Sequence, residues 1–117
     1  ISQCPRIIGW RRPAGVDVVA EGDMLGEWHV LHTPGHTPGS MSLRRGDVLV
    51  VGDTIVYKRG RLQENVPWLA TNFDQQRKSA RRLATISARV VLPGHYGPCT
   101  DPGALRSLHQ RLAQRKQ

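Results

Sequence analysis

Cysteine is scarce in this chain, with Cys4 and Cys99 the only two among 117 residues. Neither belongs to a Cys-x-x-Cys pair, so the sequence contains neither a disulfide framework nor the thiolate pairs of a structural zinc site. It also has no apolar run long enough to span a membrane and no signal peptide. We therefore expect a soluble, cytoplasmic protein with two free thiols.

Acidic residues are also few, with 9 Asp and Glu against 17 Lys and Arg. The resulting formal net charge of +8 favours anionic partners or substrates through long-range attraction. Charge alone does not distinguish nucleic acid from anionic metabolites. A group of these cations is interpreted as solvated helix surface, so we do not expect a nucleic acid partner: Arg77, Arg81, Arg82, Arg89, Arg111, Arg115 and Lys116.

The chain has the length of one domain, residues 1–117, with a single core. Apolar residues make up 38% of it, which is low for a globular protein, but clear strand and helix patterns argue against disorder. The first residue is Ile rather than Met. We expect either the loss of a natural N-terminus or an origin in a longer protein.

Short apolar segments predict an α/β fold with a mixed sheet of about five strands. The candidate strands are Val16–Ala20, Glu27–Leu31, Met41–Arg44, Asp47–Val51 and Val90–Leu92. Arg45-Gly46 resembles a hairpin connection between two of them. The stretch from Asp53 through Trp68 shows no sustained pattern, and we expect it to be irregular.

Two amphipathic segments predict helices on one face of this sheet. Asn72 or Asp74 can cap a helix that runs to about Ala88. Asp101 as N-cap, with Pro102 at the first helical position, begins a last helix. Its narrow apolar stripe consists of Leu105, Leu108 and Leu112.

Polar residues with metal-binding chemistry follow three predicted strands. The first segment is the turn His32-Thr33-Pro34-Gly35-His36-Thr37-Pro38-Gly39-Ser40, the second is Val50-Val51-Gly52-Asp53, and the third is Val91-Leu92-Pro93-Gly94-His95. Side chains at strand ends converge at one edge of a sheet, where sites usually lie. Imidazole and carboxylate are zinc ligands, and the adjacent glycines permit close backbone approach. We therefore predict a metal site of His36, Asp53 and His95, with His32 orienting the turn or donating to its backbone.

These segments resemble the second half of a metallo-β-lactamase-fold hydrolase of the glyoxalase II-like branch, over roughly Glu21 to Pro98. The resemblance implies that His36 and His95 each bind a metal and that Asp53 is the catalytic carboxylate that bridges two metals. It implies zinc, with iron or manganese as alternatives. It also implies a partial metallo-β-lactamase fold, which is half of a four-layer αββα sandwich.

The same resemblance places substrate groups near the segment after Asp53. Lys58, Arg59 and Arg61 are therefore candidates for binding an anionic substrate arm, and a solvated loop is the alternative. Tyr96, beside His95, is a candidate for a hydrogen bond to substrate, and the alternative is that it only fills space.

One expected element is missing, because the family's upstream signature H-x-H-x-D-H is absent from the sequence. Without it each metal would keep only two ligands, one of them the shared Asp53. We expect an incomplete C-terminal half of a zinc hydrolase, weakly active or inactive alone, with metal weakly bound or absent. The rival hypothesis is a non-catalytic binding or assembly module, with an anionic partner as one case.

Half of a sandwich leaves one apolar sheet face without a cover, and its exposure to water forfeits about 25 cal/mol per Å² of apolar area. Such faces mark interfaces. We expect a homodimer, or a missing N-terminal half, to cover it. Trp28 and Val30, or alternatively His29 and Leu31, would lie in the contact.

Overall fold

The computed structural model describes residues 19–95 and 97–114. Its strands are β1 (Met24–Leu25), β2 (Trp28–His32), β3 (Met41–Arg45), β4 (Val48–Gly52), β5 (Ile55–Lys58), β6 (Arg61–Glu64) and β7 (Val90–Pro93). Its helices are a 3-10 turn (Pro67–Leu69), α1 (Phe73–Ala84) and α2 (Ala104–Gln114). No helix in this part of the chain is long and apolar enough to cross a bilayer.

Five strands form one mixed sheet in the order β1-β2-β3-β4-β7, and β5 pairs with β6 in a second sheet. β2 and β4 both run antiparallel to β3, whereas β7 runs parallel to β4. The C-terminal ends of β2, β4 and β7 therefore lie at the same edge. The predicted α/β class, with a mixed five-stranded sheet and two helices, is confirmed.

The core lies between one face of the five-stranded sheet and both helices. β4 and β7 contribute Leu49, Val51 and Val91, which are at most 2% exposed. The helices contribute Ala80, Leu83, Ala84, Ala104, Leu105, Leu108 and Leu112 to the same cluster. The two helices thus share one face of the sheet, and the predicted leucine stripe of α2 is buried.

The other face of the sheet is apolar as well. Val30, Leu43, Val50 and Leu92 are aligned across β2, β3, β4 and β7. Because successive strand residues point to opposite faces, this row and Trp28 point away from the helices. Val30 is fully buried and the other four are half-buried.

The segment after Asp53 corrects the sequence prediction, because residues 55–64 form the hairpin β5–β6 rather than an irregular stretch. Arg59 and Gly60 make its turn with positive φ values of 55° and 77°, as a two-residue type I′ turn requires. Arginine is unusual there, since left-handed backbone is unfavourable for non-glycine residues, and the turn therefore carried no recognisable signal. Ile55 and Leu62 extend the core into this hairpin.

The helix ends also differ from prediction. Asn72 rather than Asp74 caps α1, since its side chain accepts from the backbone N of Gln75 at 3.0 Å. α1 ends at Ala84, four residues before the predicted Ala88, because Thr85 turns its hydroxyl onto the carbonyl oxygen of Arg82 at 2.7 Å.

The second helix begins later than predicted. Oδ1 of Asp101 accepts from the backbone N of Gly103 at 2.9 Å, which makes a local turn over Pro102. α2 therefore starts at Ala104. The predicted strand Val16–Ala20 lies largely outside the described residues; its last two residues are not in a strand, and the edge strand is instead β1.

Candidate metal centre

Three side chains from different loops meet at the edge where β2, β4 and β7 end. Nε2 of His36 lies 3.4 Å from Oδ2 of Asp53, and Nδ1 of His95 lies 2.9 Å from Oδ1. The two carboxylate oxygens thus face different imidazoles. The side chains of His36 and Asp53 are 24% and 30% exposed, whereas that of His95 is 70% exposed. The structure brings together the three residues that the strand-end argument selected.

The loop that carries His36 is fixed by packing against the start of α1. A Cβ on Gly35 would lie 2.2 Å from the backbone N of Gln76, and the φ of 139° at Gly35 also requires glycine. The backbone N of Asn72 donates to the carbonyl of Gly35 at 2.8 Å, and that of Thr71 donates to the carbonyl of His36 at 3.1 Å. These contacts set the position of the imidazole relative to the sheet.

His32 orients the same turn, as the sequence predicted. Its Nε2 lies 2.9 Å from the carbonyl oxygen of Pro38 and donates to it. Its backbone N donates to Glu21 at 2.7 Å, and Arg82 donates to Glu21 and to the carbonyl of His32. The hydrogen bond from Arg82 lowers the pKa of Glu21, and Glu21 in turn raises the pKa of Arg82. This ion pair ties the end of β2 to α1.

Asp53 is held from two sides. Nδ2 of Asn65 donates to its carbonyl oxygen at 2.8 Å, and Nε2 of the fully buried Gln76 donates to the carbonyl of Asn65 at 3.0 Å. On the other side, a Cβ on Gly94 would lie 2.7 Å from Oδ1 of Asp53. The lack of a side chain at Gly94 is therefore what leaves room for the carboxylate.

Sequence reasoning missed four residues of this region: Val56, Asn65, Leu69 and Gln76. Gln76 contacts the loop of His36 through Gly35 and the loop of Asp53 through Asn65, so it links the two. Val56 and Leu69 line the same cavity as Asp53. A buried glutamine on the apolar side of a helix was the one visible signal, because buried polar groups need partners.

The predicted substrate-binding residues lie elsewhere or outside the described part of the chain. Lys58, Arg59 and Arg61 are exposed at the far end of the β5–β6 hairpin, and none of them lines the cavity at Asp53. Tyr96 lies outside the described residues. The buried Cys99 carries a free thiol, whereas Cys4 also lies outside the described residues.

His36, Asp53 and His95 have side chains of the chemical types that bind divalent metals. Ligand atoms that share one ion at bonds of about 2.0–2.2 Å lie roughly 3.3 Å apart, and the His36–Asp53 separation is 3.4 Å. Residues 19–95 and 97–114 contain no group of three or more His, Cys, Asp and Glu arranged for one ion. His36 and Asp53 therefore have the spacing of two ligands of one ion, whereas Nδ1 of His95 lies within hydrogen-bond distance of Oδ1 of Asp53, so the three donors do not form a closed set.

Comparison with known families gives a match over most of the chain. The family model of the metallo-beta-lactamase superfamily matches residues 3–95. The probable metallo-hydrolase YflN of Bacillus subtilis (strain 168) is 32% identical over 104 residues, which cover 78% of this chain and 39% of YflN. This chain thus spans about two fifths of that relative.

Solved structures give a similar result. The metallo-beta-lactamase family protein TTHA1429 from Thermus thermophilus is 27% identical with a TM-score of 0.64, over 85% of this chain and 36% of that one. TTHA1623 in a di-iron-bound form is 26% identical with a TM-score of 0.62, over 75% of this chain and 44% of that one. A neighbour of similar fold thus holds two iron ions in a solved structure.

Proposed function

Since the chain belongs to the metallo-beta-lactamase superfamily, we propose that it carries the His36, Asp53 and His95 part of a metal-dependent hydrolase centre. The observation that carries this proposal is the placement of Asp53, whose two oxygens face one imidazole each. A carboxylate in that position is suited to bridge two ions. We propose zinc as the metal, with iron or manganese as alternatives, and membership of the glyoxalase II-like branch.

A bound divalent ion would polarise a carbonyl and lower the pKa of a bound water towards 7. The chain's own residues provide the frame for that chemistry. His36 and His95 offer imidazole nitrogens to either side of Asp53. Asn65 holds the backbone of Asp53 in place, so the carboxylate keeps its orientation between them. The proposed substrates are thioesters, esters or amides.

We propose that this chain alone is weakly active or inactive, because it supplies only two ligands to each ion. A rival proposal is a binding or assembly module that keeps the scaffold without the chemistry. The net charge of +8 supports an anionic partner in that case. The two proposals differ in their dependence on metal.

Thioester hydrolysis tests the proposed function. With excess Zn²⁺, the purified chain should hydrolyse a thioester slowly, and His36→Ala should abolish the zinc-dependent part, whereas the exposed His109→Ala should not change it. Release of the free thiol can be followed by absorbance. Rapid turnover by the metal-free chain would contradict the proposal, and an absence both of a zinc-dependent rate and of zinc binding would favour the binding module.

We also propose that two copies associate through the sheet face that carries Trp28, Val30, Leu43, Val50 and Leu92. Trp28, Leu43, Val50 and Leu92 are partly exposed on this face, and their contact with water is unfavourable, which supports the proposal. A specific contact should bury more than about 1,000 Å².

Light scattering at micromolar concentration should give twice the 13.0 kDa mass of one chain. Leu43→Asp should shift this mass towards the monomer, whereas the same change at the exposed Met24, which pairs with His29 and so lies on the opposite face of the edge strand β1, should not. A soluble wild-type monomer across this concentration range would contradict the proposal.

A further inference from the structure

The cavity at the candidate metal centre has an apolar side. Its volume is about 230 Å³. The residues that line it are His36, Asp53, Asn65 and His95, together with Val56 and Leu69. Ligand pockets commonly combine a few convergent polar groups with apolar walls, and here the polar groups are those of the proposed hydrolytic centre.

The apolar side continues onto the surface through the 3-10 turn Pro67–Leu69. Leu69 is 54% exposed and Trp68 is 80% exposed. Two large apolar side chains that are neighbours in the chain and are exposed to solvent beside a cavity indicate a surface that recognises an apolar group. Leu69 belongs both to the cavity lining and to this exposed pair, so the cavity and the surface patch are continuous.

The position of this turn is fixed relative to the metal centre. Before it, Asn65 is bonded through its side chain to the backbone of Asp53. After it, the side chain of Thr71 donates to the carbonyl of His36 at 3.0 Å. Leu69 is therefore held between anchors on two of the three proposed ligands, which makes the apolar wall part of a preformed site.

Among the residues that the structure describes, no lysine or arginine lines this cavity. Lys58, Arg59 and Arg61 are exposed on the hairpin at the end remote from Asp53, and about four strand residues at roughly 3.3 Å each separate the two ends. The side chains next to the centre thus favour an apolar group over an anionic one.

We propose that Val56, Leu69 and Trp68 form a subsite for an aliphatic or aromatic group attached to the carbonyl that the centre cleaves. This proposal rests on the proposed function, because the hydrolytic centre defines where the carbonyl lies. Leu69 and Val56 contact the group inside the cavity, and Trp68 extends the contact for longer groups. The substrate class is an ester, thioester or amide with an apolar acyl chain or ring.

Straight-chain alkyl hydroxamates test the subsite, because their head group binds metal and their tail length is adjustable. Calorimetric titration of the chain in excess Zn²⁺ should show affinity rising roughly two- to fourfold per added methylene from acetohydroxamate to hexanohydroxamate. Leu69→Ala and Trp68→Ala should remove most of this gain, measured in each variant as the ratio of hexanohydroxamate affinity to acetohydroxamate affinity. Leu25→Ala is the matched control, since Leu25 is 44% exposed on β1 and away from the cavity; it should keep the gain.

The outcomes separate the subsite from the metal centre. If acetohydroxamate binds only with Zn²⁺ but affinity does not rise with chain length, the subsite is overturned and the proposed function is kept. The same holds if affinity rises equally with chain length in Leu69→Ala. If affinity rises with chain length only when Leu69 is present, but without any need for Zn²⁺, the subsite is supported and the proposed metal centre is rejected. Light scattering on the same variants measures the mass of the assembly. If Trp68→Ala changes this mass but not the rise of affinity with chain length, Trp68 belongs to a protein contact and its role in the subsite is overturned.

Discussion

Asp53→Asn should lower the zinc affinity of the chain by more than about 100-fold, since loss of a mere supporting residue at a metal site already costs about 10–100-fold. The change keeps the shape of the side chain but removes the negative charge that faces both His36 and His95. Both proposed ion positions depend on this one carboxylate, so the variant should bind zinc tightly at neither of them. Equilibrium dialysis against Zn²⁺ measures the affinity, which we expect to be weak even in the wild-type chain.

The matched control is Asp47→Asn, which removes the same charge from the exposed turn between β3 and β4. It should leave zinc affinity within about twofold, because screening weakens the influence of a distant surface charge. Two tightly bound ions per chain that persist in Asp53→Asn would contradict the assignment of Asp53 as the shared ligand.

Gly35→Ala should destabilise the protein by about 3 kcal/mol or more, at the upper end of what overpacking usually costs. The new Cβ would lie 2.2 Å from the backbone N of Gln76, and backbone cannot move aside as a flexible side chain can. The positive φ of 139° adds strain to this clash. Urea unfolding measures the change in the free energy of unfolding.

Gly60→Ala separates the two causes, because Gly60 has a φ of 77° but nothing within 4 Å of the added Cβ. It should cost about 1–2 kcal/mol, the penalty of left-handed backbone alone. If both variants lost the same stability, the close packing of the His36 loop against α1 would be refuted.

Four strands of the five-stranded sheet, β2, β3, β4 and β7, were predictable from the sequence because they are short apolar runs with local turn signals, whereas β1 was not among the predicted strands. Leu49, Val51 and Val91 are buried in the core beneath the sheet. Buried strand positions require apolar residues, so these strands are recognisable in the sequence. The hairpin β5–β6 was missed because its turn uses Arg59, which the usual residue preferences do not favour. The end of α1 at Ala84 was missed because the last turn is closed by local bonds, from the Thr85 hydroxyl to Arg82 and from the backbone N of Ile86 to Leu83, that residue preferences do not signal.

The meeting of His36, Asp53 and His95 was predictable because each residue follows the end of a predicted strand. β2, β4 and β7 end at the same edge, so whatever follows them is brought together. The supporting residues Asn65 and Gln76 were not predictable, because their bonds join segments that are distant in the sequence. The apolar wall at Leu69 depends in the same way on how the 3-10 turn is anchored.

The most direct test of the central claim, that His36 and His95 bind metal on either side of Asp53, is imidazole ¹⁵N NMR during Zn²⁺ titration. The chain has five histidines, at positions 29, 32, 36, 95 and 109, so each spectrum contains its own controls. We expect the nitrogen signals of His36 and His95 to shift together with added Zn²⁺, while those of His29, His32 and His109 stay within the range of unspecific change. Equal shifts at all five, or shifts that spare His36 and His95, would contradict it.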